Sequence, residues 1–226
     1  LSEMPKELQD AVIAVEDSKF REHHGIDFMG ILRAFLVDIR EGRIVQGGST
    51  ITQQLAKNAF LTHERTWTRK LQELLYAIQL ERTYTKDQIL ELYLNEVYFF
   101  PGQAVYGVEA AAQGYFGKSV RHLNLPESAL LAGIIRNAYI YSPTQHPESA
   151  KARRAVVLKR MALLGYISEE EAQSAMEAPL GAIEPRPSKQ AAPYFVSYVR
   201  DRMISKYGHE TVYKGGLKIY TTLDLR

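Results

Sequence analysis

Helical periodicity constrains this chain more than any other feature. Apolar residues recur at three- and four-residue spacing from Pro5 to about Tyr207. A first helix starts at Pro5, whose fixed φ suits a first turn, and runs through Leu8, Val12 and Val15. A second places Phe28, Ile31, Leu32, Phe35, Leu36 and Ile39 on one wide stripe and stops at Gly42. A third carries Ile51, Leu55 and Phe60, and a fourth carries Trp67, Leu71, Leu74, Leu75 and Ile78. Thr85-x-x-Gln88 opens a fifth as a capping box, with Ile89, Leu92 and Tyr93 inward. Small residues fill Val108–Phe116, further helices follow Pro126 and Pro147, and Ser168-x-x-Glu171 caps another. The expected fold is mainly α.

Two features close the chain. Pro179, Pro185, Pro187 and Pro193 punctuate a polar stretch that reads as a linker, so domain boundaries are expected at 1–180 and 181–226. Beyond it lie a helix over Tyr194–Tyr207 and a short β element, the alternating Gly216–Leu223.

Composition excludes several classes. With 226 residues, 46% hydrophobic and 24% charged, the chain has material for a sizeable core. Lys+Arg 28 against Asp+Glu 26 leaves +2, too small a surplus to imply a nucleic-acid partner. Cys 0 removes any thiolate nucleophile and any cysteine metal site. No run approaches the roughly 18 consecutive apolar residues of a membrane span.

Four polar clusters remain for chemistry. Glu16, Asp17, Phe20, His23, His24 and Asp27 follow the first apolar helix. A carboxylate at a helix C-terminus sits in an unfavourable dipole field, which with burial is one way to make a general acid or base. The plainer alternative is a solvated charge cluster. Gln46–Asn58, containing Gly47, Gly48, Ser49, Thr50, Gln53, Gln54 and Lys57, offers backbone amides and hydroxyls at a helix start, suited to an anion, or is an N-capped helix behind a flexible linker. In Arg65–Glu73, Arg69 and Lys70 share a helix face with Glu73, and the alternative there is a surface ion-pair ladder. Arg153 and Arg154 lie on one side of a helix whose other side is apolar, by default as surface charge.

Together these runs resemble the peptidoglycan glycosyltransferase domain, family 51 of the glycosyltransferases. The resemblance rests on Glu16-Asp17-x-x-Phe20-x-x-His23-x-Gly25-x-Asp27, Gly47-Gly48-Ser49-Thr50-Ile51-Thr52-Gln53-Gln54-x-x-Lys57-Asn58, Arg69-Lys70-x-x-Glu73, Lys86-x-x-Ile89-Leu90-Glu91-x-Tyr93-Leu94-Asn95 and Arg153-Arg154-x-x-Val157-Leu158. Two segments depart from the family pattern: Ala104 stands where a glycine is usual, and Ile135-Arg136-Asn137-Ala138 replaces a proline-bearing run.

The resemblance implies a lysozyme-like, two-lobed helical domain with a small membrane-associated jaw at about 26–60. It implies polymerisation of lipid II at the extracytoplasmic face of a bacterial plasma membrane. Glu16 would be the general base and Glu73 the second catalytic carboxylate. Lys57, Arg65, Arg69 and Lys70 would hold the pyrophosphate, and Asp17, Phe20, Ser49, Gln53, Gln54 and Asn58 would complete the substrate site. No cofactor is essential, and a divalent cation (magnesium or manganese) on Glu73 is the optional one. The implied partners are lipid II, the growing glycan, the membrane surface and a tethered transpeptidase, the last because Gly215–Asp224 is similar to the start of the linker to such a domain. An anchor before Leu1 is expected on the same ground. A lysozyme-like glycan-cleaving enzyme and a non-catalytic binding domain are the rival readings.

Overall fold

The computed structural model describes residues 1–32, 48–61, 66–99, 106–183, 193–208, 211–212 and 217–223. By its internal contacts the chain divides into two units, Leu1–Glu184 and Pro185–Arg226.

The first unit is built around the α-helices α1 (Lys6–Glu16), α2 (Ile51–Phe60), α3 (Trp67–Thr83), α4 (Lys86–Glu96), α5 (Val108–Phe116), α6 (Leu125–Ile134), α7 (Pro147–Leu163) and α8 (Glu169–Glu177). Their starts are written locally. Capping boxes pair Thr50 with Gln53, Thr85 with Gln88, Asn124 with Glu127 and Ser168 with Glu171. Each satisfies amides that a helix N-terminus would otherwise leave without a partner. The only β structure among the described residues is an isolated bridge between Tyr98 and Tyr106.

Two packing groups position the site. In one, α1 lies against α6 and α7. Helix α6 is apolar all round, and Ser128–Ile134 are buried without exception, as such a helix must be. Helix α1 turns Leu8, Ala11 and Val12 to it with no exposed surface at all. In the other group, α2 packs on α3 and α4. A polar tie joins them: Lys86 Nζ donates to Glu81 at 2.7 Å, and the same oxygen accepts from Thr52 Oγ1 at 2.6 Å. Lys86 also stands 4.5 Å above the ring of Phe20, which is fully buried.

Gly25 lets the loop after α1 reach this group. Its φ is +89°, and a Cβ there would meet the Ala77 carbonyl oxygen at 3.1 Å. Its own carbonyl accepts from Thr50 Oγ1 at 2.6 Å, which fixes the loop to the start of α2.

Helix α3 faces the other way from what an apolar stripe suggests. Trp67, Leu71 and Leu75 are exposed, at 92%, 58% and 60%, whereas Glu73 is buried at 3%. Leu92 of α4 is likewise exposed, where Leu90 and Leu94 take the inward positions with Ile89 and Tyr93. Phe60 is exposed too and stacks on Tyr76, with ring centroids 5.4 Å apart.

Residues 28–32 are helical, with Phe28, Met29 and Leu32 exposed. The rest of the expected jaw stripe (Phe35, Leu36 and Ile39) and the loop from Gly42 to Gly47 lie outside the described residues.

The second unit contains α9 (Pro193–Tyr207). Residues 217–223 form no strand. The alternation there is compatible with a strand, but a strand exists only in a ladder, and no partner for it occurs among the described residues. No helix among them is long and apolar enough to cross a membrane.

Candidate active site

Glu16 ends α1 at the rim of a pocket of about 290 Å³. Ser49, Gln54, Arg136, Arg153 and Arg160 line the same pocket. The Glu16 side chain is 12% exposed, and its two oxygens meet different groups. Gln54 Nε2 donates to Oε2 at 2.9 Å, and Arg153 Nη2 stands 3.9 Å from Oε1. Both contacts address the carboxylate as an anion. Gln54 is itself held from behind, since the Tyr93 hydroxyl donates to its Oε1 at 3.0 Å.

Asp17 lines the pocket too, with its carboxylate already engaged. Its carboxylate meets His23 Nε2 at 2.9 and 3.1 Å and accepts the Ile51 amide at 3.0 Å. The start of α2 therefore already has its anion. With the Thr50–Gln53 box, the amides of Thr50, Ile51 and Gln53 are all engaged within the chain. Gln53 is buried at 1%, with its Oε1 accepting the Thr50 amide, and Phe20 is enclosed beneath Lys86. Asp17 thus ties the first loop to the start of α2, Gln53 caps α2, and Phe20 ties the loop to α4.

The cations gather around Glu73. Lys70 Nζ lies 2.7 Å from its Oε2 and Arg69 Nη2 lies 3.4 Å from its Oε1. Lys70 also donates to Ser49 Oγ at 3.1 Å, which joins this cluster to the pocket wall. Burial pulls the Lys57 ammonium below the ordinary lysine range; Arg69 and Lys70 push the same way, against Glu73 and Glu16. Lys57 thus stands in the field of both carboxylates. Asn58 follows it, half-buried, and Arg65 lies outside the described residues. The charged face of α3 is no surface ladder, because its carboxylate is enclosed.

Arg153 and Arg154 are not surface charge either. Arg154 is 1% exposed and donates to the carbonyls of Met176, Ala178 and Pro179, capping the end of α8. Arg153 runs past Gly133, where a Cβ would meet its Cγ at 3.0 Å, to reach Glu16. The signal was present in the spacing. Ala150, Arg153, Arg154, Val157, Leu158 and Met161 recur at helical intervals, so the arginines share the apolar stripe. Arg136, Arg153, Arg160 and Tyr93 are contributors that sequence reasoning did not place at the site. Among the described residues no group of three His, Cys, Asp or Glu side chains is arranged to hold a metal ion.

A family model described as Transglycosylase matches residues 1–162. The chain belongs to the transglycosylase family. It is 51% identical to Penicillin-binding protein 1A of Aquifex aeolicus (strain VF5) over 225 residues, covering 100% of this chain and 30% of that protein. It is 46% identical to Penicillin-binding protein 1F of Bacillus subtilis (strain 168), covering 99% of this chain and 32% of that protein. The chain thus spans about a third of the length of these relatives. Among solved structures, a 2.6 Å crystal structure of Penicillin-Binding Protein 1A from Haemophilus influenzae matches with a TM-score of 0.52 and 28% identity, over 94% of this chain and 21% of that one. This transglycosylase is a glycosyltransferase domain of the class A penicillin-binding protein type, with the helical fold of that group.

Proposed function

We propose that the chain is a peptidoglycan glycosyltransferase that polymerises lipid II and releases undecaprenyl pyrophosphate. One observation carries this reading: a carboxylate that accepts from Gln54, Glu16, stands in the field of a cluster in which Lys57, Arg69 and Lys70 outnumber the one buried carboxylate Glu73. The excess positive charge suits a leaving group that departs as a pyrophosphate. Hydrolysis of a finished glycan creates no such anion.

In this reading Glu16 takes the proton from the acceptor's sugar hydroxyl. The freed oxygen attacks the anomeric carbon of the donor, and the bond from that carbon to the pyrophosphate oxygen breaks with inversion. The electron pair leaves on undecaprenyl pyrophosphate, where Lys57, Arg69 and Lys70 receive it. Glu73 keeps those cations in place, and Ser49 lines the passage between the two halves of the reaction. A divalent cation at Glu73 fits poorly, since both of its oxygens already face cations.

The extracytoplasmic membrane surface is where such a substrate lies. Exposed Phe28, Met29 and Leu32, with Trp67, Leu71 and Leu75, give the domain apolar surface for it. A tethered transpeptidase in the full-length protein would cross-link the product.

Incubation with labelled lipid II in detergent or vesicles, followed by sizing of the glycan, tests the reading. Lengthening supports it. Shortening of preformed glycan, or no change in length, overturns it.

A further inference from the structure

We propose that Tyr93 is a positioning residue for Glu16, acting through the side-chain amide of Gln54. The inference rests on the reading of Glu16 as the base, and it starts from a three-member chain. Tyr93 Oη lies 3.0 Å from Gln54 Oε1, and Gln54 Nε2 lies 2.9 Å from Glu16 Oε2.

Only one arrangement of protons satisfies all three groups. An ionised carboxylate accepts and cannot donate, so the amide must turn its NH₂ to Glu16. Its carbonyl oxygen then faces Tyr93, and the hydroxyl must donate to it. Turning the amide over would set its oxygen against the carboxylate, which has no proton to donate. Tyr93 is 1% exposed, and burial first, then Glu16 and Asp17, holds its hydroxyl well above the ordinary tyrosine range. The donor therefore stays a donor at every working pH.

The chain also crosses three elements. Tyr93 belongs to α4, Gln54 to α2 and Glu16 to the end of α1, so a group outside the pocket lining anchors the far side of a pocket-lining amide. Packing explains why Tyr93 carries a ring at this position, since Ile89, Leu90 and Leu94 around it are also buried. Packing alone does not call for the hydroxyl. A phenylalanine would fill the same space and leave the Gln54 carbonyl oxygen without its donor, so that the amide is held from the Glu16 side alone.

The test is Tyr93→Phe beside Gln54→Ala and the double variant, in the whole chain. Tyr93→Phe is expected to lower kcat for glycan elongation about tenfold with KM unchanged. In the Gln54→Ala background the same change is expected to add nothing. A second readout needs no turnover: the Gln54 side-chain NH₂ resonances, assigned by Gln54→Ala, should exchange slowly with water in the parent and lose that protection in Tyr93→Phe. Unchanged Gln54 resonances, losses that add in the double variant, or a loss confined to melting temperature would each overturn the proposal. A parent chain that elongates nothing would overturn the glycosyltransferase reading instead, and the amide resonances would still decide the role of Tyr93.

Discussion

Helices α1 and α3 each position a carboxylate, Glu16 in the pocket and Glu73 tied to the pocket wall through Lys70 and Ser49, and they do it in opposite ways. Helix α1 buries its apolar face and presents Glu16 from its last position, so the carboxylate reaches the cleft beyond the packed turns. Helix α3 presents Glu73 from its second turn, and a carboxylate there brings its whole face inward. That face must then carry its own counter-ions, Arg69 and Lys70, while Trp67, Leu71 and Leu75 are left on the outside. A group aimed from a helix end costs little in packing. A group aimed from mid-helix inverts the helix, and the displaced apolar stripe needs another apolar medium.

The strongest way to break this comparison is to neutralise each carboxylate in turn. Glu16→Gln should lower elongation about 1,000-fold, the scale of a lost general base, with an unchanged melting temperature. Glu73→Gln should lose activity and also about 3 kcal/mol of stability, because it leaves cations beside an uncharged partner in a largely enclosed site. Activity assays paired with thermal melts check both. Equal stability losses in the two variants would erase the distinction.

The cation cluster offers a sharper, smaller test. Lys57→Ala should weaken inorganic pyrophosphate binding by roughly 10- to 100-fold, measured by calorimetry. Because burial lowers the Lys57 ammonium's affinity for its proton, the parent's affinity should decline at a lower pH than the ~10.4 of an ordinary lysine would give. The sign follows from charge: only the protonated form attracts the anion, and it disappears as pH rises. Lys57→Arg should keep its affinity through the same range.

Smallest is the effect on the exposed stripe. Leu8→Ala in α1 should cost about 3 kcal/mol by leaving a cavity. Leu75→Ser in α3 should change stability by less than about 0.5 kcal/mol. Its effect should appear instead as a roughly tenfold weaker partition into anionic phospholipid vesicles, read by sedimentation.

What the sequence disclosed follows the range of the interactions involved. Helix starts were legible because caps are local: Thr85 with Gln88 and Ser168 with Glu171 act within one turn. The motifs also named Glu16, Lys57, Glu73 and their neighbours. Which face of a helix is buried is decided by distant partners, so the inward face of α3 was not legible and the arginines of α7 were read as surface charge. The Tyr93 hydroxyl was hidden for the same reason, since its partner lies 39 positions away in sequence. Alternation over Gly216–Leu223 could not by itself supply a second strand.

The central claim is that one cleft couples a base on α1 to a pyrophosphate site on α2 and α3. Phosphorus NMR during consumption of labelled lipid II tests it most directly. The account predicts one undecaprenyl pyrophosphate released for each glycosidic bond formed, with neither appearing in Glu16→Gln. Glycan cleavage without pyrophosphate release, or undiminished release in Glu16→Gln, would contradict it.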